Sequence, residues 1–344
     1  MTRTRPDPLV SVLLPLRDAA ATIDAVMTSV LAQAGPPLEV VAVDDGSVDD
    51  SPARLAGWAR RDRRVRVLAS GGAGLVAALS MAEDAARGTF LARMDADDRM
   101  RPERLRRQVD RLRREPDLAL VAGRVHAFPD DAIGAGMREY LRWQDGCRTW
   151  RDIADGIYVE APFVHPTVTM RRDVVRRLGG YRDGDFPEDY DLWLRIAAAG
   201  HRMGKLDALV LDWRQHPGSL SRRDPRYRRE AFDRLRARAL AAEPRLRAGR
   251  DLVVWGAGRR TRKRVDVLLG HGFSVDAWID IDPRKVGNRV SGAPVHAPAW
   301  LRDRPVGSRP FVLVYVASHG ARDQVAAVLR RYGYRRGRDW LGVG

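Results

Sequence analysis

The chain contains 344 residues, 44 % of them hydrophobic, which predicts two folded domains with ordinary apolar cores. Its single cysteine, Cys147, excludes an intrachain disulfide and any multi-cysteine zinc site. The formal net charge is +16 and comes almost entirely from arginine, which suits an anionic membrane, phosphorylated ligands or nucleic acid, or simply reflects a GC-rich coding sequence.

Strand and helix patterns alternate through the first 125 residues. Continuous apolar runs predict strands, and an apolar period of 3.6 residues predicts helices. On this basis we predict strands at 10–14, 38–43, 65–68, 90–94 and 118–122, and helices at 22–33, 52–61, 75–86 and 103–114. Fully apolar strands that alternate with helices are typical of a buried, mostly parallel sheet flanked by helices.

The rest of the chain divides near residues 245–250. Strands are predicted at 167–170 and 209–213 and helices at 171–178, 190–199 and 224–242, whereas 129–150 has no clear pattern. A second alternation follows, with strands at 252–255, 274–279 and 311–316 and helices at 259–269 and 322–332. We therefore predict an α/β domain over 1–245 and a smaller α/β domain over 246–344.

Acidic residues follow three of the predicted strands. They are Asp18, after Pro15; Asp44 and Asp45; and Asp95, Asp97 and Asp98. Because ligands of open α/β sheets bind at the carboxyl ends of the strands, we expect these side chains to converge on one ligand. Three carboxylates within four residues repel one another unless solvent or a divalent cation separates them, and Mg²⁺ binds one or two carboxylates with waters and phosphates. The alternative is a set of solvated turns.

Several motifs, in order, resemble family 2 glycosyltransferases of the GT-A fold. They are Val-Ser-Val-Leu-Leu-Pro at 10–15, Val-Asp-Asp-Gly-Ser-Val-Asp at 43–49, Ala-Arg-Met-Asp-Ala-Asp-Asp at 92–98, Pro-Glu-Arg-Leu at 102–105 with Gln108, Gly-Gly-Tyr at 179–181, Glu-Asp-Tyr-Asp-Leu-Trp-Leu-Arg at 188–195 and Trp-Arg-Gln-His at 213–216. The resemblance covers about residues 9–222. It implies a GT-A type, mostly parallel sheet, and transfer of a hexose-type sugar from a nucleotide diphosphate to an acceptor hydroxyl.

The resemblance also implies roles for single residues. Asp189, paired with Glu188, matches the family's catalytic base, and single displacement would invert the anomeric centre. The residues assigned to the divalent cation, Mg²⁺ or Mn²⁺, are Asp95, Asp97, Asp98 and His216. The residues assigned to the substrates are Pro15, Asp18, Asp44, Asp45, Arg93, Asp95 and, as a further pocket candidate, His165. Asp189 would equally stabilise a helix dipole, and both histidines precede a proline as turn residues do.

The partners follow from the same resemblance. We expect a nucleotide-sugar donor, with a UDP-sugar favoured, and a glycan or lipid-linked sugar as acceptor in cell-surface polysaccharide or glycolipid synthesis. Arg17, Gly72 and Ser80 depart from the family pattern around the donor. The absence of an apolar run of roughly 18–20 residues, and of an apolar segment within residues 1–8, predicts a cytoplasmic protein, in peripheral contact with the inner face of the membrane through its basic surface. Without a recognisable nucleic-acid motif, we expect no nucleic-acid partner.

The second domain begins with a glycine turn and resembles Rossmann-like domains. Gly256 and Gly258 follow a predicted strand, and Asp280 ends the next strand, where a ribose-binding acid would lie. Thr261 replaces the third glycine of the dinucleotide motif, so a scaffold or interaction module is favoured over a dinucleotide site. Arginines that crowd the start of the following helix would suit phosphate.

Three other functions remain open at this point. A sugar nucleotidyltransferase uses a similar sheet and metal, but usually has a glycine-rich signature with a lysine after the first strand. An NAD-dependent oxidoreductase in the second domain would need a Tyr-x-x-x-Lys pair that is not evident. A non-catalytic nucleotide-sugar binding protein would not need the acids at 95, 97 and 189.

Overall fold

A computed structural model describes residues 9–316 and 320–344. Residues 1–8, for which the sequence predicts no signal segment, lie outside the described residues. The chain divides into two compact units. The first runs through Trp150 and resumes at Pro162–Asp224, and the second consists of Arg151–Ala161 and Pro225–Gly344.

The first unit is built on one large sheet. Its strands are β1 (Val10–Leu16), β2 (Leu38–Asp44), β3 (Val65–Ala69), β4 (Phe90–Arg93), β5 (Arg99–Met100), β6 (Leu118–Phe128), β7 (Thr169–Arg171) and β8 (Arg202–Arg214). They lie in the order β3-β2-β1-β4-β7-β6-β8-β5. The pairs among β1 to β4 and the pair β6–β8 are parallel, while β7 and β5 are antiparallel to their neighbours. The predicted mixed α/β fold with a mostly parallel sheet is confirmed.

Helices follow the strands of this sheet along the chain. They are α1 (Ile23–Leu31), α2 (Ser51–Arg61), α3 (Leu75–Ala85), α4 (Arg104–Arg114), α5 (Ala135–Gly146), α6 (Trp150–Gly156, which runs into the second unit), α7 (Arg172–Arg177), α8 (Glu188–Ala198) and α9 (Leu220–Arg223). Buried apolar residues of α1, α4, β1, β2 and β4 form one continuous core. Thr22 precedes α1 as predicted, but its hydroxyl donates to the carbonyl of Ala96 at 2.6 Å instead of capping the helix.

The middle of the first unit departs most from the predicted elements. β6 and β8 extend well beyond the apolar runs at 118–122 and 209–213, since their outer halves keep one exposed face and carry polar residues such as Arg124 and His126. Their pairing contains register shifts that further obscure any simple alternation. Residues 129–150, left unassigned from the sequence, contain α5.

The second unit has a smaller sheet. Its elements are α10 (Arg229–Ala241), β9 (Leu252–Trp255), α11 (Arg259–Leu269), β10 (Ala277–Ile279), β11 (Arg289–Val290), β12 (Ala293–His296), α12 (Ala299–Arg302), β13 (Phe311–Val314), α13 (Ala321–Arg331) and β14 (Trp340–Gly342). The order is β11-β12-β10-β9-β13-β14, and only β11 pairs in the antiparallel sense among these strands. β9 is therefore central, with β10 and β13 on its two sides.

The division between the units differs from the predicted boundary at 245–246. Helix α10 packs against α11 and buries Ala231, Leu235 and Leu240, so this arginine-rich helix belongs with the second sheet. The segment 151–161 also belongs there, because Tyr158 accepts a hydrogen bond from the amide of Gly344 at 2.9 Å. Across residues 9–316 and 320–344, no helix is both long and apolar enough to span a bilayer.

Gly123 lies where β6 passes close to β8, and a Cβ at this position would overlap with the buried side chain of Val210. We therefore expect Gly123→Ala to lower the free energy of unfolding of the first unit by about 1–3 kcal/mol, measured by urea denaturation. Gly57→Ala is the control: it lies inside α2 with only the end of Arg60 at 4.0 Å, and should gain about 0.5–1 kcal/mol. An equal loss of stability in Gly123→Ala and Gly57→Ala would contradict the close approach of β6 and β8.

Candidate active site

The acids predicted at the strand ends lie at one edge of the first sheet. β1 and β2 run in parallel with Leu16 opposite Asp44, and β4 lies on the other side of β1 with Arg93 opposite Leu13. The amide of Asp45 donates to the carbonyl of Leu16 at 2.8 Å, which continues the pairing into the loop. The carboxyl ends of β2, β1 and β4 are therefore neighbours, as expected for the crevice of an open α/β sheet.

Asp18 joins the loop after β1 to the loop after β2. Its Oδ1 accepts the amide of Val48 at 2.8 Å, and its own amide donates to the hydroxyl of Ser47 at 2.9 Å. Asp18 has a left-handed φ of 51°, which Asp tolerates better than most residues. Pro15 is buried inside β1 opposite Val43, so it shapes the strand beneath the site.

The two acids that follow β2 have different hydrogen bonds. Asp45 Oδ1 accepts the hydroxyl of Ser70 at 2.6 Å and the amide of Gly74 at 3.0 Å, so it orients the glycine-rich turn before α3. Both oxygens of Asp44 lie 3.4 Å from the amide of Ser47, at the long limit of a hydrogen bond. Asp44 therefore keeps capacity to accept hydrogen bonds from a ligand.

The acids after β4 occupy three distinct environments. The side chain of Asp95 is 33 % exposed, and its Oδ1 lies 2.6 Å from the guanidinium of Arg93. Asp97 Oδ2 lies 3.1 Å from Nε2 of His216, which brings a residue from beyond β8 back to this loop. Asp97 and His216 therefore lie in contact, whereas Asp95 pairs with Arg93, which is buried as its counter-ion.

Asp98 is the deepest acid of this loop. Its Oδ1 accepts the amide of Arg214 at 2.7 Å, and its Oδ2 is buried with no hydrogen-bond partner among the described residues. Burial, followed by the charges of Asp95 and Asp97, raises the pKa of Asp98 well above its usual range. Burial and Asp95 also raise the pKa of Asp97, although His216 partly offsets this. A bound cation would relieve this repulsion between carboxylates.

The donor set fits a cation that is shared with a substrate. Within the described ranges, no three His, Cys, Asp or Glu side chains converge closely enough to enclose an ion by themselves. Asp97 and His216 nevertheless supply two donors 3.1 Å apart, beside the unpartnered oxygen of Asp98. Mg²⁺ commonly completes such a partial shell with waters and substrate phosphates. These residues therefore suit an open site that a diphosphate completes.

Two buried arginines lie beneath the acidic loop. Arg93 is 2 % exposed and Arg104 is 1 % exposed. Burial alone would lower the pKa of Arg93, but the negative charges of Asp95 and Glu188 have the larger effect and raise it. Burial lowers the pKa of Arg104 to about 9. The Arg104 guanidinium donates to the carbonyls of Arg93 at 2.9 Å and Val168 at 3.2 Å, which fixes the end of β4 to the neighbouring segment.

Gln108 completes this buried network and has no assigned role in the sequence analysis. Its amide nitrogen donates to the carbonyls of Val121 and Thr167 at 2.8 and 2.7 Å. Its Oε1 accepts from Arg104 at 3.0 Å and from the hydroxyl of Thr169 at 2.7 Å. The signal in the sequence is the spacing of Arg104 and Gln108, one turn apart on α4, which puts both on one face.

Glu188, which was paired with the predicted base, lies in a second cluster around His165. Glu188, the buried first residue of α8, lies 3.6 Å from Nδ1 of His165. Nε2 of His165 hydrogen-bonds with the hydroxyl of Tyr181 at 2.9 Å, and the ring of Trp193 packs edge-on with centroids 5.9 Å apart. His165 is thus held between several groups and positions Glu188.

Asp189 is the partly exposed member of the Glu-Asp pair. Burial and the charge of Glu188 together raise the pKa of its carboxyl to about 6, against the opposite effects of His165 and Arg93. A carboxylate with this pKa is ionised at neutral pH and is a stronger base than an ordinary Asp. Arg93 pairs directly with Asp95, and its charge also lowers the pKa of Asp189.

The predicted cofactor residues of the second unit lie together, but the carboxylate of Asp280 already accepts hydrogen bonds from within the unit. Gly256 and Gly258 flank the turn between β9 and α11. Asp280 Oδ2 accepts the amide of Ala257 at 2.9 Å and the ammonium of Lys285 at 3.1 Å, and Oδ1 accepts a backbone amide two residues further on. Despite burial, these bonds lower the pKa of Asp280. Asp280 therefore holds the glycine turn and offers little to a ribose.

A sheet of this order with strand-end acids and a carboxylate pair at the start of α8 defines the GT-A class of glycosyltransferase folds. Comparison with known proteins agrees. The model of Glycosyl transferase family 2 matches residues 11–179. The amylovoran biosynthesis glycosyltransferase AmsE of Erwinia amylovora is 31 % identical over 186 residues, which cover 54 % of this chain and 67 % of that protein. The chain belongs to glycosyltransferase family 2 and is a transferase.

Two further relatives extend the comparison. The O-antigen biosynthesis glycosyltransferase WbnJ of Escherichia coli is 26 % identical over 211 residues, 60 % of this chain and 80 % of that protein. The structure of S. aureus TarS 1–349 in complex with UDP-GlcNAc has a TM-score of 0.50 at 16 % identity, covers 67 % of this chain and 66 % of that chain, and shows the fold. The family match ends before Asp189 and His216, so the roles predicted for these two residues stay predictions.

Because Asp280 binds the glycine turn and Lys285, we expect Asp280→Ala to lower the free energy of unfolding of the second unit by about 1–3 kcal/mol, measured by chemical denaturation. Asp303, an exposed acid that pairs with Arg302, is the control. Asp303→Ala should change the free energy of unfolding by less than about 0.5 kcal/mol. Unchanged stability of Asp280→Ala, combined with weaker nucleotide binding, would instead favour a ribose-binding role.

Proposed function

We propose that the first unit transfers a sugar from a nucleotide diphosphate sugar to an acceptor hydroxyl, with metal dependence and inversion. One observation carries the proposal: Asp95 of the acidic loop after β4 pairs with the buried guanidinium of Arg93 at 2.6 Å, and the charge of the same guanidinium lowers the pKa of the partly exposed Asp189. The acidic loop thus offers a site for the anionic leaving group of a bound donor. Asp189 offers a base for the hydroxyl that attacks this donor.

The donor nucleotide would lie against the loops after β1 and β2. Asp44 has acceptor capacity for a base N–H or a ribose hydroxyl, while Asp18 and Asp45 hold the loops around it. We favour a UDP-sugar as the donor. A panel of nucleotide sugars tests this choice by the release of nucleoside diphosphate, and release of pyrophosphate from a nucleoside triphosphate would indicate a nucleotidyltransferase instead.

The residues that would hold a divalent cation are Asp97 and His216, with Asp95 and Asp98 beside them. When bound, Mg²⁺ or Mn²⁺ stabilises the negative charge of the departing diphosphate. Arg93 and Arg104 offset part of the acidic charge from below, so this loop can adopt its conformation before a ligand arrives.

Asp189 would accept the proton of the acceptor hydroxyl. The hydroxyl oxygen then forms a bond to the anomeric carbon as the bond from that carbon to the diphosphate oxygen breaks. The electron pair of the broken bond leaves with the nucleoside diphosphate, and a single displacement of this kind inverts the anomeric centre. Glu188 is buried against His165, so it is better suited to orient the start of α8 than to meet the acceptor.

The acceptor is proposed to be a precursor of a cell-surface polysaccharide or glycolipid. Support comes from the relatives named for amylovoran and O-antigen biosynthesis. A lipid-linked acceptor would require contact with the inner face of the membrane, for which the net charge of +16 is favourable. Co-sedimentation with anionic vesicles, compared with neutral ones, tests this contact.

Asp97→Ala removes a carboxylate from the cation-binding edge. We expect it to lower metal-stimulated hydrolysis of the donor by about 10²-fold or more, measured as nucleoside diphosphate release with Mn²⁺. The variant should remain folded, since it also removes repulsion within the loop. Asp131→Ala, at an exposed acid of the same unit, is the control and should keep full activity. Full metal-stimulated turnover in Asp97→Ala would exclude this site.

The pKa of Asp189 is raised to about 6, and a base acts only when ionised. Transfer should therefore be full above neutral pH and fall as the pH drops through about 6. Asp189→Asn should slow transfer by about 10²–10⁴-fold without weakening donor binding, measured by single-turnover kinetics and calorimetry. Asp185→Asn removes an exposed charge nearby and should transfer normally. A normal rate in Asp189→Asn would identify another base.

A further inference from the structure

A polar cavity of about 450 Å³ lies between α4 and β8 of the first unit. Residues 206–208 of β8 form one wall. The other wall consists of side chains that recur at helical spacing on α4: Arg106, Arg107, Asp110 and Arg114. Ligand sites occupy about 300–1,000 Å³, so the volume suits a small molecule. We call this space the α4 cavity.

The wall on β8 exists because the strand bulges there. Ala122 of β6 pairs with Lys205, and Arg124 pairs with Leu209, so one residue of β6 lies opposite three residues of β8. The surplus takes residues 206–208 out of the regular ladder, and all three line the cavity. Bulges commonly redirect side chains beside functional sites. The sheet is therefore irregular at the place where it borders the α4 cavity.

Other contacts fix α4 against β8 beside the cavity. The Arg111 guanidinium donates to the carbonyl of Lys205 at 2.6 Å, and a Cβ on Gly204 would lie only 3.0 Å from this guanidinium. Leu206 packs against the hydrophobic core of the first unit. Because these contacts hold the two walls together, the charged side chains of α4 that line the cavity are available for another role.

The arginines on α4 have more positive charge than their own partners neutralise. Glu103 is shared by Arg106 and Arg107, whose guanidiniums lie 2.5 and 3.0 Å from its oxygens. Asp110 lies 4.0 Å from Arg106, at the limit of an ion pair. Arg114 has no hydrogen bond or ion pair with any part of the chain that the structure describes. Three guanidiniums thus accompany two carboxylates, and a negatively charged ligand would balance them.

Asp207, the acid on the opposite wall, does not supply the missing charge. Its Oδ1 accepts from Arg124 at 3.2 Å and its Oδ2 accepts from Arg148 at 2.6 Å. Both guanidiniums belong to residues that do not line the cavity. Because its two oxygens are bound from outside, Asp207 is neutralised, and Asp110 is the lining carboxylate that keeps capacity to accept hydrogen bonds.

The α4 cavity is separate from the candidate active site. β8 passes the cavity at residues 206–208 and ends at Arg214, whose amide and Nε donate to Asp98 and to the carbonyl of Asp97. Six residues of strand at about 3.3 Å each place Ala208 about 20 Å from Arg214. A ligand in the α4 cavity would therefore occupy a second site and not the donor position.

A surface network of ion pairs is the alternative explanation. Exposed pairs contribute about 0–1 kcal/mol each and are common on charged surfaces. Such a network accounts for the contacts of Arg106 and Arg107 with Glu103. It does not require the bulge on β8 or a concave space lined by an unpaired arginine and an aspartate.

We propose that the α4 cavity binds an acidic saccharide, such as a uronic acid or a sugar phosphate. Arg114 would bind the anionic group, since a guanidinium donates paired hydrogen bonds to carboxylate and phosphate oxygens. Asp110 would accept hydrogen bonds from sugar hydroxyls, because a carboxylate can only accept. Arginine and aspartate together thus favour an anion that carries hydroxyls over a bare anion. The site uses residues of the first unit alone and does not depend on the proposed transferase reaction.

The first experiment titrates the full chain with glucuronate and with glucose 6-phosphate, by calorimetry in EDTA. EDTA removes the divalent cation that the proposed transferase site would need. We expect saturable binding of at least one of these ligands, and at least about tenfold weaker binding in Arg114→Gln. Arg60→Gln is the matched control, because it removes the same charge from the exposed last turn of α2 and should bind as the wild type does.

The second experiment changes the cavity from its other wall. Ala208 is partly exposed and lines the cavity, so longer side chains fit there without disturbing the core. Ala208→Glu adds a carboxylate that competes for the arginines, and it should weaken binding by at least about tenfold. Ala208→Gln has nearly the same size without the charge and should bind more tightly than Ala208→Glu. Urea denaturation checks that both variants remain folded.

Two further titrations test the class of ligand. Glucose lacks the anion and should bind at least about tenfold more weakly than the preferred acidic saccharide. Inorganic phosphate lacks the sugar hydroxyls that Asp110 would bind and should also bind at least about tenfold more weakly. The comparison of glucuronate with glucose 6-phosphate shows whether the anion is a carboxylate or a phosphate.

The outcomes separate the α4 cavity from the transferase site. Binding that survives in Asp97→Ala but is lost in Arg114→Gln and Ala208→Glu supports the proposal, whatever the fate of the transferase activity. Loss of binding in Asp97→Ala would place the ligand in the donor site, and phosphate binding as tight as saccharide binding would indicate a simple anion site. Either result would overturn the proposal, as would absence of saturable binding or equal binding in Arg114→Gln and Arg60→Gln.

Discussion

The ion pair between the buried Arg93 and the partly exposed Asp95 is the contact on which the acidic edge of the first sheet depends. Carboxylates gathered within one short loop repel one another, and an unpaired buried guanidinium would cost several kcal/mol. Pairing solves both problems at once, because the strand that ends in the acids also supplies their counter-ion. Arg104 then anchors the end of this strand by donating to the carbonyl of Arg93, and Gln108 holds Arg104 in place by accepting from its Nε.

The parts of the fold that depend on local pattern were predictable from the sequence. β1, β2 and β4 are buried on both faces and therefore read as continuous apolar runs, and their helices show a clear 3.6-residue period. The full lengths of β6 and β8 and the antiparallel pairing of β7 were not, because they depend on partners distant in the chain. The place of α10 in the second unit was equally hidden, since its buried alanines and leucines lie among many arginines.

The candidate site was likewise predictable only in part. Asp44, Asp95 and Asp97 could be expected at one edge because parallel topology alone brings strand ends together. The contact between Asp97 and His216 was implied only by the family resemblance, since the two residues are far apart in the chain. The internal use of Asp280 and the shared contact of Arg236 and Arg264 with Asp233 depend on burial and tertiary position, on which a single sequence carries no direct information.

The discontinuity of the second unit has a consequence for how the chain is made. Residues 151–161 leave the ribosome long before α10 and the strands that follow it, yet Tyr158 and Val159 have hydrogen-bond partners in that later part of the chain, Glu243 and Arg236. During synthesis this segment lacks those partners while the first unit, whose sequence it interrupts, folds. A shortened chain that stops at Asp224 would lack them permanently, so an isolated first unit would need this loop to be redesigned as well.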